Sequence, residues 1–355
     1  MFQKNDLGRL LAVNTAPAVS MFLPTHTAGR EIRQDVIRFR NLLSEATEKL
    51  VSEHGLRRPG AESLLGPAAA LLQDERFWRH QDRGLAMFIA NGSVQLHRVP
   101  VELPEEVSVG QRFAVRPLLP LLASTGSFMI LAVSSGMARL YSATRFGIAE
   151  EQVLLPRGVP EINLDTEQGE ADLIAYLGRL SRTVEEHLKN VHCPVVLVAE
   201  DENQGHFRKE TRLRTLLGEG VKVNPDALDV DEMHRRAYDI VKPLFEQANR
   251  AALEEYRALS GDPATASRTM AWIEDIVQAA RDGRVATLLM VEGEKVWGRY
   301  SEEYDRYFSH TTRVDGAVDL LECAAAETLM REGRVHLVDK DELPMGSSAV
   351  AVLRF

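Results

Sequence analysis

Residues 171–199 read ADLIAYLGRLSRTVEEHLKNVHCPVVLVA, and this stretch carries the two patterns that decide the fold class. Its first part places apolar side chains every three or four residues, which predicts an amphipathic helix over 171–189. Its last part, 194–199, is a continuous apolar run, as is typical of a strand buried on both faces of a sheet. A helix that leads into such a strand predicts an α/β unit.

Helix and strand patterns also alternate on both sides of this stretch. Strands are predicted at 18–23, 85–90, 94–99, 112–115, 128–133, 138–143, 285–291, 295–300, 335–338 and 349–353. Further helices are predicted at 31–53, 61–72, 208–214, 231–259, 269–281 and 318–332. Pro243 is expected to kink or split the 231–259 helix. The whole chain is therefore predicted to be α/β.

Domain limits follow from length and from breaks in the pattern. A chain of 355 residues exceeds what one hydrophobic core usually supports. Boundaries are expected near Gly126 and at Gly261-Asp-Pro263, where glycine and proline interrupt the periodic segments. We therefore predict three domains, at 1–124, 125–262 and 263–355.

Composition limits the possible partners. The longest apolar runs are strand-sized, the first residues lack a signal-peptide pattern, and two cysteines cannot form a disulfide framework. A cytoplasmic protein without a membrane partner is expected. The net charge of −10, spread as +2, −7 and −5 over the three predicted domains, argues against DNA and against nonspecific nucleic-acid binding.

Contacts with RNA would therefore depend on local basic clusters, because guanidinium and ammonium groups bind phosphate. Two such clusters are candidates for RNA binding. The first, in the mildly basic N-terminal region, consists of Arg33, Arg40, Arg57 and Arg58. The second, on the predicted 208–214 helix, consists of Arg208, Lys209, Arg212 and Arg214. Solvated helix faces would give the same patterns.

Catalytic and cofactor motifs are largely missing from the sequence. It contains no G-x-x-x-x-G-K-[ST] phosphate loop, no G-x-S-x-G elbow and no H-E-x-x-H pair, so no cofactor is expected. Glu200, Asp201 and Glu202 follow the 194–199 strand, where functional groups gather in α/β sheets. They are candidate ligands for Mg²⁺, although a solvated acidic loop would look the same.

Several ordered signatures nevertheless resemble a known family. They are Leu23-Pro-Thr-His26, Phe77-Trp78, Gly84–Phe88, Val109–Leu122, Asn224-Pro-Asp226, Gly283–Leu289, Val296-Trp-Gly298 and Asp319–Leu329. Together they are similar to the bacterial archaeo-eukaryotic release-factor group, most closely its third family, which is related to Pelota and to class I release factors. The resemblance extends over nearly the whole chain.

The resemblance implies a role for each predicted domain. The first would face the decoding centre, and the second would be RNase-H-like. The third would resemble the kink-turn-binding ribosomal-protein fold, which docks translational GTPases or ribosomal RNA. Relatives include rescue and hibernation factors that occupy the ribosomal A site, so the ribosome is the expected partner.

One departure from the family is decisive for activity. Release factors carry Gly-Gly-Gln on a loop of the middle domain, whereas no two of the 24 glycines here are adjacent. The corresponding loop, expected at 156–170, holds only Gln168 and Gly169. A single glycine does not supply the backbone freedom that would let a glutamine position water against an ester.

We therefore expect a noncatalytic A-site factor that acts in ribosome rescue, stress or hibernation. Two alternatives remain open. One is a metal-dependent nuclease or hydrolase that uses Glu200, Asp201 and Glu202. The other is a protein-binding module that no longer acts on the ribosome.

Overall fold

The computed structural model describes residues 2–26, 31–123, 127–134, 138–145, 147–154, 167–189, 193–312, 314, 316–344 and 346–355, with side chains outside 152–154 and 167–170. These residues divide into two compact units. One is Ser127–Phe245, and the other joins Phe2–Gly126 to Glu246–Phe355. The α/β class is confirmed, and the division into three domains stays a prediction.

The N-terminal part is built on an antiparallel sheet of order β3-β2-β1-β4. Its strands are β1 (Ala18–Pro24), β2 (Gly84–Ala90), β3 (Ser93–Val99) and β4 (Glu106–Gly110). Its helices are α1 (Lys4–Leu11), α2 (Ile32–Ser52), α3 (Arg58–Ala69) and α4 (Glu75–Trp78). Asn91 and Gly92 join β2 to β3 with φ of 51° and 72°, the positive values that a two-residue hairpin requires.

Both faces of this sheet are buried. Side chains alternate along β1, so Val19 and Met21 pack with α2 and α3, while Ala18 and Phe22 point into a second core. That second core also receives Leu7 and Leu10 of α1 together with side chains from the C-terminal part of the chain. The N-terminal sheet is therefore covered on one face by α2 and α3 and on the other by α1 together with residues more than 150 positions away.

The Ser127–Phe245 unit contains a five-stranded sheet of order β7-β6-β5-β8-β9. Its strands are β5 (Ser127–Val133), β6 (Ala138–Thr144), β7 (Gly147–Leu154), β8 (Val195–Ala199) and β9 (Leu216–Lys222). β6 is antiparallel to β5 and β7, whereas β8 is parallel to β5 and β9. This is the strand order of the RNase-H-like fold. Every residue of β8 is buried, as its apolar run predicted.

Helices cover both faces of this second sheet. They are α5 (Glu167–Leu188), α6 (Asp201–Glu210) and the first half of α7 (Val230–Gly261). The predicted stripe of α5, including Leu177 and Leu180, packs on one face, and Met233 and Val241 of α7 pack on the other. α7 continues through Pro243 as one helix, so it is not split there as the sequence suggested.

The C-terminal part contains two further sheets, of order β10-β16-β11-β15 and β13-β12-β14. The strands are β10 (Thr269–Met270), β11 (Val285–Val291), β12 (Trp297–Ser301), β13 (Arg306–His310), β14 (Val318–Asp319), β15 (Arg334–Val338) and β16 (Ala349–Leu353). α8 (Ile273–Arg281) and α9 (Leu320–Met330) pack on one face of the larger sheet. The second half of α7, through Leu253 and Tyr256, packs on the other.

Two local predictions were wrong. Residues 112–115 are not a strand, and the edge strand of the N-terminal sheet is instead β4, which pairs with β1. β13 and the ribbon that it forms with β12 were not predicted at all. Among the described helices, none is both long enough and apolar enough to span a membrane.

Candidate nucleic-acid interface

The N-terminal arginines form a stripe along α2. Arg33 and Arg40 lie two turns apart on its exposed side, and Arg57 and Arg58 lie where α3 begins. Arg58 is tied to α2 by an ion pair with Glu48, at 2.5 Å. At about 1.5 Å per residue, the stripe from Arg33 to Glu48 is about 22 Å long. All four arginines are exposed, and because Arg58 is paired with Glu48, the structure leaves Arg33, Arg40 and Arg57 available to a phosphate backbone.

A buried carboxylate lies on the same helix and was not recognised in the sequence. Asp35 is fully buried and accepts hydrogen bonds from the backbone N–H of His26 at 2.8 Å and from Arg38 at 3.0 Å. Its Oδ1 also lies 2.8 Å from Nδ1 of His26. Arg38 in turn pairs with Glu105 at 2.8 Å. This network fixes the His26 ring just beyond the end of β1.

The second basic cluster does not lie on one helix. α6 ends at Glu210, so Arg212 and Arg214 belong to the connection that leads to β9. Arg208 is only half-exposed, and its guanidinium donates to the carbonyl oxygen of Leu217 at 2.5 Å. Partial burial lowers the pKa of Arg208. Arg208 therefore holds α6 against the next strand, and Lys209, Arg212 and Arg214 are the exposed members of the cluster.

The connection that carries Arg212 is held in place by Glu185 of α5. Oε1 of Glu185 accepts from the backbone N–H of Arg212 at 2.6 Å, from Ser181 at 3.0 Å and from Thr211 at 3.3 Å. These bonds, led by the one from Arg212, lower the pKa of Glu185. The backbone under Arg212 is thus fixed while its side chain stays exposed.

The three acidic candidates lie at the other end of α6. Glu200, Asp201 and Glu202 are all exposed, and Asp201 forms an ion pair with Lys222 of β9 at 2.8 Å. Negative charge at a helix N-terminus is stabilised by the helix dipole. Within the described part of the chain, no three His, Cys, Asp or Glu side chains converge as metal ligands. Their place at the N-terminus of α6 therefore accounts for these three acidic residues without a metal.

The position expected for the release motif is only partly described. α5 begins at Glu167, so Gln168 and Gly169 lie in its first turn and not in a loop. Residues 155–166 of the expected loop lie outside the described residues.

Three of the segments that resemble the release-factor family, 109–122, 296–298 and 319–329, meet in the unit that joins Phe2–Gly126 to Glu246–Phe355. The sequence alone could not show that they meet. Arg116 pairs with Asp319 at 2.5 Å and also donates to the carbonyl oxygen of Glu294. The backbone N–H of Val115 donates to Glu322 at 2.8 Å, and that of Val296 donates to Asp319 at 3.3 Å. Segments around 116, 296 and 319 are thereby joined at one point.

A groove of about 1740 Å³ opens beside this junction. It is lined by the segment 108–117, by α9 and by the ribbon of β12 and β13. Its cationic and aromatic lining side chains include Arg112, Arg299, Trp297, Tyr304 and Phe308. The sequence signal for this ribbon was two aromatic-containing segments, 297–301 and 306–310, separated by four residues, a spacing that fits a hairpin.

Comparison with solved structures finds distant likenesses over most of the chain. The archaeal translation termination factor aRF1 is 16% identical, with 100% of this chain and 99% of that chain covered and a TM-score of 0.28. Ribosome-bound archaeal Pelota, described together with ABCE1, is 13% identical over 99% and 94%, with a TM-score of 0.39. Dom34 of S. cerevisiae is 9% identical over 77% and 74%, with a TM-score of 0.37.

Among curated protein sequences, none is significantly similar to this chain. The model of one protein family does match, over residues 127–284. This range begins with β5 and ends at Arg284, just before β11, and so includes the whole RNase-H-like sheet. Over these residues, the chain is similar to bacterial archaeo-eukaryotic release factor family 3.

Proposed function

We propose that this protein is a noncatalytic ribosome-binding factor that occupies the A site during rescue, stress or hibernation in the cytoplasm. The observation that carries the proposal is a release-factor family match in a chain that contains no Gly-Gly pair. Residues 127–284 match the family, whereas the sequence lacks the Gly-Gly-Gln tripeptide with which release factors hydrolyse peptidyl-tRNA.

The exposed basic residues support binding to ribosomal RNA despite the net charge of −10. Arg33, Arg40 and Arg57 project from a rigid helical frame, and Lys209, Arg212 and Arg214 project from the other unit. Arginines that neutralise phosphates release counterions, so binding through them must weaken as salt is raised. A translational GTPase is a further expected partner, because the resemblance implies that the C-terminal part docks such proteins.

Co-sedimentation of the full chain with vacant bacterial ribosomes, over a series of salt concentrations, tests the proposal. Saturable pelleting that weakens with salt is expected, together with competition by tRNA bound in the A site. No release of peptide from peptidyl-tRNA is expected on the same ribosomes. Absence of pelleting at low salt would overturn the proposal and favour a protein-binding module.

The basic residues are tested with matched variants. The double variant Arg33→Ala, Arg40→Ala is expected to weaken binding and to reduce the salt slope by about 1.5, since each phosphate contact contributes about 0.7–0.9. Arg250→Ala is the control, because Arg250 is an exposed arginine of α7 outside both clusters. Equal slopes for the double variant and the control would remove α2 from the interface.

The nuclease alternative has little support in the described residues. The acids at 200–202 do not converge with a third ligand group, and Asp201 is neutralised by Lys222. A Mg²⁺ ion is held by oxygens that converge on it. RNA cleavage that depends on Mg²⁺ and is lost in Asp201→Asn would restore this alternative.

A further inference from the structure

The ribbon of β12 and β13 has one outer face that combines aromatic and cationic side chains. Its directly opposed pairs are Trp297 with His310, Arg299 with Phe308, and Ser301 with Arg306. Opposed residues in antiparallel strands lie on the same face, and alternate residues along a strand share it. One face of the ribbon therefore carries Trp, Phe, His and two Arg side chains.

The opposite face of the ribbon is fixed against α8. Tyr300 and Tyr307 lie opposite each other, with ring centroids 5.2 Å apart, and the Arg281 guanidinium lies 5.1 Å and 5.8 Å from the two ring centroids. The backbone N–H of Ser309 donates to Glu274 at 3.2 Å. Because this inner face is anchored, the outer face is held in a defined shape toward solvent.

The outer face keeps large rings exposed. Phe308 is 41% exposed and Tyr304, in the turn, is 63% exposed, with their rings edge-to-face at 5.9 Å. The Arg306 guanidinium lies 5.4 Å from the centroid of the Phe308 ring. Arg299 and His310 are exposed as well. Single exposed aromatic side chains are ordinary on protein surfaces. Exposed rings that are grouped with cations on one face of a sheet indicate a binding surface.

Acidic residues lie around the outer face of β12 and β13, and Asp319 of β14, which lies opposite Trp297 on the same face of the sheet, is paired with Arg116. No outer-face position of the two strands is Asp or Glu, and Arg306 lies 3.8 Å from Asp275 of α8. Glu302 and Glu303 occupy the turn at the tip of the ribbon. A polyanion is therefore directed across the strands toward Arg299 and away from the acidic tip.

We propose that this outer face binds an unpaired segment of RNA. Bases stack on Phe308 and on the neighbouring rings, and Arg299 and Arg306 bind phosphates. Unpaired bases stack on exposed aromatic and guanidinium planes, which is how sheet surfaces bind single strands. The outer-face positions carry no aliphatic side chain, so a protein partner would meet rings and cations without an apolar core.

The inference does not depend on A-site binding, because it concerns RNA in any context. It is tested with the full chain and a fluorescent pyrimidine RNA of about twelve nucleotides, a length within the usual site size of such surfaces. Fluorescence anisotropy should show saturable binding of the single strand and much weaker binding of the same RNA within a duplex. Phe308→Ala should weaken binding roughly tenfold, the usual scale for one stacked base.

Rescue variants separate stacking from simple apolar contact. Phe308→Trp is expected to bind RNA as the unaltered protein does, whereas Phe308→Leu should be as weak as Phe308→Ala. The double variant Arg299→Ala, Arg306→Ala should lower both affinity and salt dependence. Phe355→Ala and Arg250→Ala, at exposed positions away from the ribbon strands, are the controls and should leave binding unchanged.

Three results would overturn the inference. They are no RNA binding at low salt, unchanged binding in Phe308→Ala, and restoration of binding by leucine. Unfolding curves of each variant, read by tryptophan fluorescence, show whether a loss of binding is a loss of folding. If RNA binds through the ribbon while ribosomes do not pellet the protein, the proposed function fails and this inference stands.

Discussion

The backbone N–H of Val115 donates a 2.8 Å hydrogen bond to Oε1 of Glu322, which lies 207 residues later in the chain. Beside it, Arg116 is paired with Asp319. Two adjacent residues of the N-terminal part are thus bound by two carboxylates of α9 and its N-cap. This junction joins the first and last parts of the chain within one compact unit.

Glu322 should make the stability of this unit depend on pH. Burial raises the pKa of its carboxyl from 4.5 to about 7, so between these values the folded state holds more proton than the unfolded state. Stability contributed by Glu322 is therefore present at low pH and lost as pH rises from 4.5 to 7. Glu322→Gln keeps an acceptor for Val115 and removes the charge.

We expect Glu322→Gln to match the unaltered protein at pH 4.5 and to be more stable at pH 8, by at most about 3 kcal/mol. Urea unfolding followed by tryptophan fluorescence measures this, because Trp78, Trp272 and Trp297 all lie in this unit. Parallel pH profiles for the two proteins would contradict the prediction.

Arg116→Ala should destabilise the same unit by about 3–5 kcal/mol, the usual cost of leaving a buried charge unpaired. The side chains of Arg116 and Asp319 are only 13% and 5% exposed. Asp319 also accepts from the backbone N–H of Leu321 at 3.1 Å and so begins α9.

Asp319→Asn provides the matched background, because an asparagine retains that helix cap. In the Asp319→Asn background the charge of Asp319 is absent and Arg116→Ala no longer strands it, so the further loss should be at least about 1 kcal/mol smaller. Additive losses in urea unfolding would show that the ion pair does not couple these residues.

Gly298→Ala should destabilise the ribbon. A Cβ at this position would lie 2.5 Å from Cδ1 of Leu320 and 2.8 Å from the carbonyl oxygen of Phe308. Leu320 is fully buried and the carbonyl belongs to the paired strand, so neither moves without loss; we expect a cost of about 1–3 kcal/mol.

Gly60→Ala is the control in the same unit, since its added Cβ meets no atom within 4 Å and it does not precede a proline. Alanine in the first turn of α3 should be neutral or stabilising by up to about 1 kcal/mol. Thermal unfolding of both variants distinguishes a steric clash from a general loss of glycine. Equal midpoints for Gly298→Ala and the unaltered protein would show that the ribbon accommodates the methyl group.

Both cysteines should be slow to react while the protein is folded. Burial raises the pKa of Cys193 to about 11 and that of Cys323 to about 12, so little of either thiol is ionised at pH 8. A disulfide-exchange reagent should label neither rapidly in native protein and both after denaturation. Cys193→Ser and Cys323→Ser assign any residual reactivity, and fast native labelling of either would contradict the prediction.

Periodicity alone predicted most of the regular elements. Helix α2 and strand β8 lie within two residues of their expected limits. Each has an uninterrupted apolar pattern, and this pattern corresponds directly to the sides of the element that are buried. Asn91 and Gly92 form the expected turn for an equally local reason, the positive φ that both residues tolerate.

The error at 112–115 has a long-range cause. Phe113 and Val115 are both buried and alternate with the less buried Arg112, Ala114 and Arg116, as in a strand. However, the N–H groups of Ala114 and Val115 bond to side-chain oxygens of Ser20, at 2.9 Å, and of Glu322. These two N–H groups are therefore hydrogen-bonded without pairing to a neighbouring strand. No local sequence pattern indicates an acceptor more than 200 residues away.

The sequence predicted which residues belong to the candidate sites, but it did not predict how those residues are arranged in space. Arg33 and Arg40 share an exposed side because they lie on one long helix. Arg208 proved half-buried and hydrogen-bonded to Leu217, because the helix ends at Glu210 and the chain folds back onto it. The aromatic face of the ribbon depends on the register in which β12 pairs with β13, and the hairpin spacing of the two segments does not fix that register.

The hydrophobic core shared by the first 126 and the last 110 residues has a consequence for the synthesis of the protein. Phe22, Phe88 and Phe113 leave the ribosome long before their partners Ile276 and Leu288 are made. At about 5–20 residues per second, the 163 residues from Ala114 to Ile276 take about 8–30 s to translate. During that interval the nascent sheet exposes an apolar surface of the kind that chaperones bind. A message truncated before α8 yields a polypeptide that is prone to aggregation.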